Sequence, residues 1–174
     1  MKERSKKGPP SKDGMLLVVD AQNLYYSARE LYGKGSRIDF LKLRERIAGT
    51  RSFGVIYSIA FIPEIREDTQ PLAKALHRLG YEVLARTERF DAQVQELERL
   101  APQYAILAVA SGSGDFIPLY RKMKEIEGKR VEVYCFIDAA NGEISKYADQ
   151  YEHLKAEVLL GDYSTVEVLK EGPV

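Results

Sequence analysis

The chain has 174 residues, 45% hydrophobic and 30% charged, with 26 basic side chains balanced by 26 acidic ones, the profile of one globular domain able to bury its own core. Zero formal net charge argues against a polyanion binder held by bulk charge and leaves only a local basic groove open. One cysteine, Cys135, and two histidines, His77 and His153, exclude a disulfide framework or a multi-cysteine zinc site and leave little for a histidine-rich metal centre.

Residues 1–14 stand apart. Lys2, Arg4, Lys6, Lys7 and Lys12 outnumber Glu3 and Asp13, and Gly8, Pro9, Pro10 and Gly14 break any helix. The segment reads as a flexible basic tail, a solvated leader or a weak phosphate tether. It has no apolar core of a secretory signal. No run in the chain approaches the ~18 apolar residues that span a bilayer, so the cytoplasm is the expected compartment.

From Met15 the pattern is regular. Met15–Asp20 is an apolar run closed by a carboxylate, the mark of a buried parallel strand. Asn23–Tyr32 reads as a helix stopped by Gly33 and Gly35. Asp39 can cap a second helix whose apolar set is Phe40, Leu41, Leu43 and Ile47. Phe53–Ile62 reads as a strand, Thr69–Leu79 as a helix closed by Gly80, and Tyr81–Ala85 as a third strand. Asp91–Leu100 is a helix, Tyr104–Ala110 a fourth strand, Phe116–Ile126 a helix and Arg130–Ile137 a fifth strand. Ile144–His153 reads as a last helix and Glu157–Leu160 as a short strand. Alternating strands and helices predict a three-layer α/β domain over 15–160 with a mainly parallel sheet of five or six strands, followed by a tail at 161–174.

In such sheets, sites form outside the carboxyl ends of the strands. Asp20 follows the first strand, Asp91 opens the helix beyond the third, Asp115 follows Ser111-Gly112-Ser113-Gly114 after the fourth, and Asp138 follows the fifth. Each has a plainer explanation. Asp20 and Asp115 could cap helices, Asp91 could answer a helix dipole, and Asp138 could close the turn Asp138-Ala139-Ala140-Asn141-Gly142. Together they repel unless a cation neutralises them, and oxygen ligands without cysteine or histidine suit Mg²⁺ or Mn²⁺. Gly112-Ser113-Gly114 fails as a dinucleotide fingerprint, because Ile117 stands at the third glycine. Gln22 stands where an Asp-x-Asp phosphatase needs an acid, and no P-loop lysine motif is present. Cys135 falls inside a strand and reads as core.

Val18-Val19-Asp20-Ala21-Gln22-Asn23-Leu24 resembles the opening strand and turn of the NYN domains, a PIN-like nuclease family that includes the LabA-like bacterial proteins. Ser111-Gly112-Ser113-Gly114-Asp115-Phe116-Ile117-Pro118-Leu119 resembles that family's Ser-Gly-Asp-Ser-Asp-Phe-x-Pro-Leu segment. Gly128–Val133 resembles the strand that follows it, and Ala148-Asp149-Gln150-Tyr151 a late Ala-Asp-x-Phe/Tyr element. The resemblance covers about residues 15–160. It implies a PIN-like, Rossmann-like fold, an acidic Mg²⁺ or Mn²⁺ centre and cleavage of single-stranded RNA. It makes Asp20, Asp91 and Asp115 metal-binding acids. Asn23 would orient one of them or a metal-bound water, and Asp149 would be a supporting or helix-capping residue. Three departures stand against this: Ser113 replaces an aspartate, Glu88-Arg89-Phe90 replaces Lys-Gly-Val before Asp91, and Leu97 stands where a further acid often sits. Ser113 offers only a neutral hydroxyl, and Asp138 or Glu88 would have to compensate.

RNA needs cations beside the acids. Arg86, Arg89, Arg121, Lys122, Lys124 and Arg66 fall near strand exits, as a basic rim or as ordinary solvated charges. Tyr25 and Tyr26 could stack bases, or one could pack inward. Two other functions stay open: a degenerate NYN domain that binds RNA or protein without cutting, and a phosphoesterase acting on a small ester. A homodimer also stays open, since no interface pattern shows.

Overall fold

The computed structural model describes residues 13–49 and 56–161. Residues 1–12 of the expected basic tail, the first three residues of the expected second strand and the tail from 162 onward lie outside that range. Six strands, β1 (Met15–Asp20), β2 (Ile56–Ile62), β3 (Glu82–Ala85), β4 (Ile106–Ala110), β5 (Arg130–Cys135) and β6 (Gln150–His153), form one sheet in the order β3-β2-β1-β4-β5-β6. Every neighbouring pair is parallel. Helices cover both faces, so the central strand β1 is buried along its whole length. This is why it reads as an unbroken apolar run rather than an alternation.

The two faces of β1 divide the core. Met15, Leu17 and Val19 meet α1 (Ala21–Tyr32), α2 (Phe40–Ala48) and α3 (Gln70–Arg78) through Leu24, Ala28, Leu31, Leu43, Ile47 and Leu76. Leu16 and Val18 meet α4 (Phe90–Leu100), α5 (Ile117–Arg121) and the turn that follows α5 through Val94, Leu97, Leu119, Tyr120 and Met123. The one fully buried carboxylate on β5, Glu132, is paired with Arg130 Nε at 2.7 Å and accepts from the Tyr134 hydroxyl at 2.7 Å. Among the described residues, no helix is long and apolar enough to cross a membrane.

Two of the expected helix boundaries are set by specific local features. Asp39 accepts from the backbone N–H of Leu41 at 3.1 Å and of Lys42 at 3.0 Å. Asp39→Ala removes both and is expected to cost about 1 kcal/mol, readable as a lower urea midpoint with an unchanged slope. At the end of α1, Gly33 turns with φ 102°, a left-handed conformation that suits glycine.

Three expectations need correction. Ile144–His153 is not a helix: a single 3₁₀ turn, Ile144–Lys146, precedes strand β6. Ile144, Tyr147, Ala148 and Tyr151, whose spacing reads as helical, do pack on the second core cluster. Pairing with β5 overrides that periodicity: the Asp149 N–H donates to Val131 O at 2.8 Å, and the Asp149 carboxylate accepts the Val131 N–H at 2.8 Å. Glu157–Leu160 likewise forms no strand. It holds a 3₁₀ turn, Ala156–Val158, and one antiparallel bridge from Leu159 to Ile38. The helix expected over Phe116–Ile126 is α5 continued by a π-helical turn, Lys122–Ile126, closed by Glu127 N–H on Lys122 O at 3.1 Å.

The strand order reverses between β1 and β4. The crevice outside the carboxyl ends of these two strands is where open α/β sheets place ligands.

Candidate active site

Asp20 ends β1 in that crevice with only 1% of its surface exposed. Its two oxygens have different work. Oδ1 accepts the Asn23 N–H at 3.2 Å and so caps α1. Oδ2 accepts the Ser111 hydroxyl at 3.0 Å and faces Arg86 at 3.9 Å. One oxygen thus caps α1, and the other is left to Ser111 and Arg86. Burial raises the Asp20 carboxyl above the usual aspartate value. The Asn23 and Ser111 bonds and the Arg86 charge oppose that rise, and the Asp115 charge adds to it.

The segment after β4 is built around this carboxylate. Ser111 Oγ, while donating to Asp20, accepts the Ser113 N–H at 3.1 Å. Ser113 Oγ in turn accepts the Asp115 N–H at 3.2 Å. Ser113 thus starts the 3₁₀ turn Gly114–Phe116, and Asp115 is left with its carboxylate outward. Asn23 pins the same loop from the other side, its Oδ1 accepting the Gly112 N–H at 2.9 Å. Gly112 has no room for any side chain: a Cβ there would lie 1.7 Å from Ile137 O. Gly112 O also accepts the Ala139 N–H at 2.9 Å.

Arg86, the first residue after β3, joins the two acids. Its Nη2 meets Asp115 Oδ2 at 2.6 Å and its Nη1 stands 3.9 Å from Asp20 Oδ2. The side chains of Asp20, Arg86 and Asp115 are 2%, 30% and 48% exposed, so the site grades from a dry floor to an open mouth. Sequence reading placed Arg86 on a basic rim and missed this bridge. The Gly112 close approach was also missed, because its partner Ile137 sits on the following strand exit.

The other predicted residues fall elsewhere. Among the described residues, no group of three or more His, Cys, Asp or Glu side chains is placed to hold a metal ion, so the structure does not bring Asp91 into a three-acid set with Asp20 and Asp115. Asp91 is exposed in the first turn of α4, where the helix dipole favours it. Asp138 closes its own turn, accepting from Ala140 N at 2.7 Å and Gly142 N at 3.0 Å. Asp149 lies at the opposite, amino end of the sheet, held by Lys124 Nζ at 2.6 Å and the Val131 N–H. Desolvation raises its carboxyl, but these partners together outweigh it and leave the carboxyl below the usual range. It supports the β5–β6 edge rather than capping a helix.

Arg89 is exposed before α4. Arg121 lies over the Tyr147 ring, 5.7 Å from its centre, and Lys122 is half-buried on the π-helical turn. Tyr25 and Tyr26 both stay outward, 41% and 59% exposed, meeting edge to face; the Tyr25 hydroxyl accepts from Arg29 at 2.8 Å. Cys135 is buried in β5, and burial pushes its thiol up to about 11.

The model of the NYN domain family matches residues 15–155. The chain is similar to a solved structure of a Vibrio parahaemolyticus RIMD 2210633 protein of unknown function, VPA0982. The TM-score is 0.72 at 23% identity, over 86% of this chain and 97% of that one. That likeness shows the shared fold. No curated protein matches the chain.

Proposed function

The chain belongs to the NYN domain family, a PIN-like nuclease family, and from that premise we propose that it hydrolyses phosphodiester bonds of single-stranded RNA with Mg²⁺ or Mn²⁺. The observation that carries this reading is the buried Asp20 carboxylate at the sheet's switch point, sharing one positive group with Asp115. A carboxylate so deeply desolvated is costly unless a cation meets it.

The donor set suits such an ion. The acids offer only hard oxygens, with no sulfur or imidazole beside them, and the guanidinium between them shows that the pair accommodates a positive charge. Asp20 and Asp115 would hold the metal. When bound, it supplies Lewis acidity at the phosphate and a more acidic attacking water. The chain's own residues do the rest. Asn23 and Ser111 fix the Asp20 carboxylate, and Asn23 also fixes the Gly112 loop that carries Asp115. Arg89, Arg121 and Lys122 offer phosphate contacts, and the exposed Tyr25 offers a stacking face. Asp91 has no part in holding the ion in this reading.

The test is incubation of single-stranded RNA with the protein and Mn²⁺, beside EDTA-treated samples and a small aryl phosphate. Cleavage of RNA alone, stopped by EDTA, is the expected result. Turnover of the small ester alone, or none of either, contradicts it.

A second reading is favoured by two observations, the Arg86 bridge and the Ser113 hydroxyl in place of an acid. In it the domain holds RNA without cutting. It is distinguished by RNA binding that survives EDTA, no turnover with any divalent ion, and a gain of cleavage in Ser113→Asp.

A further inference from the structure

Arg86 is held in the site by more than its two acids. Its backbone N–H donates to Ile62 O at 2.7 Å, tying the end of β3 to the end of β2. Gln93 clasps the residues on either side, its amide donating to Ala85 O at 2.9 Å and its Oε1 accepting the Thr87 N–H at 3.1 Å. The guanidinium lies over the Phe90 ring, 4.0 Å from its centre. Phe90 is itself fixed edge-on against Phe61 at 5.3 Å and Phe116 at 5.5 Å. A long, costly-to-order side chain is thereby delivered to one point, between Asp20 and Asp115.

We propose that Arg86 is a built-in competitor for the divalent cation: Asp20 and Asp115 hold either the guanidinium or the metal, and metal binding is an exchange of one for the other. The inference rests on the reading of this pair as a cation site and adds what controls its occupancy. Like charge dictates the exclusion. A dication and a guanidinium on the same two oxygens repel each other, and at the dry Asp20 floor water screens little of that repulsion. The exchange is feasible because the Arg86 side chain is 30% exposed and its stem can swing toward the open mouth while the anchored backbone stays. The metal affinity of the natural chain is then its intrinsic affinity reduced by the fraction of molecules in which Arg86 has released the acids.

Mn²⁺ titrated by calorimetry into metal-stripped wild type, Arg86→Met and Arg86→Lys tests this. Methionine keeps an unbranched stem over Phe90 and removes the charge. Arg86→Met is expected to bind Mn²⁺ about 10- to 100-fold more tightly than wild type. Arg86→Lys keeps a charge that cannot fork between both acids and is expected to fall between. Affinity of Arg86→Met equal to or below wild type overturns the inference, as does absence of Mn²⁺ binding in all three proteins. Should Arg86→Met lack a cooperative melt, Arg86→Lys decides by the same comparison.

RNA cleavage on the same samples separates this from the functional reading. Mn²⁺-dependent cleavage by a wild type whose affinity Arg86→Met does not raise leaves the nuclease and removes the competitor. Tighter Mn²⁺ binding in Arg86→Met, with RNA uncut by every sample, leaves the competitor and removes the nuclease.

Discussion

Asp20→Asn is expected to abolish both Mn²⁺ binding and RNA cleavage while leaving the protein folded. Wild type at about 100 times its dissociation constant for Mn²⁺ should gain about 2.7 kcal/mol, a rise in melting temperature of about 5–10 °C for a chain of this size. The variant should show no rise. Asparagine keeps an oxygen for the Asn23 N–H, so the cap on α1 survives and the loss is chemical.

The pH dependence of metal-free stability gives that variant a second signature. Burial raises the Asp20 carboxyl in the folded state. Ionised Asp20 therefore costs the fold stability at neutral pH, and the cost is relieved as pH falls through that raised value. Asp20→Asn, which cannot ionise, escapes it. Without metal the variant should melt at or above the wild-type temperature near pH 7, and the gap should close on acidification. A variant that melts well below wild type at neutral pH, with the deficit shrinking toward acid, would show that ionised Asp20 stabilises the fold.

Gly112→Ala carries the second large effect. The added Cβ would lie 1.7 Å from Ile137 O, 2.9 Å from Ile137 C and 3.4 Å from Cys135 Cβ. Backbone, not a yielding side chain, blocks it, so the loop after β4 must move. That movement breaks the bond to Asn23 and the bond to Ala139 and displaces the segment that presents Asp115. The expected cost is about 3 kcal/mol or more, a drop in melting temperature of about 6–12 °C, with metal-induced stabilisation lost as well. Gly35→Ala is the internal control, since nothing lies within 4 Å of a Cβ there; it should change stability by no more than about 0.5 kcal/mol. Equal melting temperatures for the two variants would contradict the close approach at Gly112.

The parts of the fold legible in the sequence are those whose physics is local. β1 is readable because a strand covered on both faces must be apolar throughout, and the carboxylate ending it is conspicuous for the same reason. Asp39 is readable because a cap acts within three residues. The Asp20–Asn23 spacing and the Ser111–Asp115 loop are readable because each half of the site is one short segment leaving a buried strand. β6 is not, since its apolar positions serve the core at helical spacing while its backbone serves the free edge of β5. Only the neighbouring strand decides between the two.

The site's third partner illustrates the same limit. Nothing near Arg86 in the chain marks it off from Arg89, three residues on and exposed. What distinguishes it is delivery: the end of β3 lies beside β2, the Phe61–Phe90–Phe116 cluster stands beneath, and two acids from other segments lie within reach. Asp91 shows the converse. Its spacing suits a ligand, but its place in the first turn of α4 leaves it exposed and outside any three-acid group among the described residues.

The most direct test of the central claim, that Asp20 and Asp115 form the cation-dependent centre of an RNA-cutting site, is the rate of single-stranded RNA cleavage against Mn²⁺ concentration for wild type and Asp115→Asn side by side. Asp115 is half exposed and bonds only at its rim, so the substitution leaves the core untouched. A saturable Mn²⁺ dependence in wild type, with the rate in the variant reduced about 100-fold or more, is the predicted result. Equal rates in the two proteins, or no cleavage by wild type at any Mn²⁺ concentration, would contradict the claim.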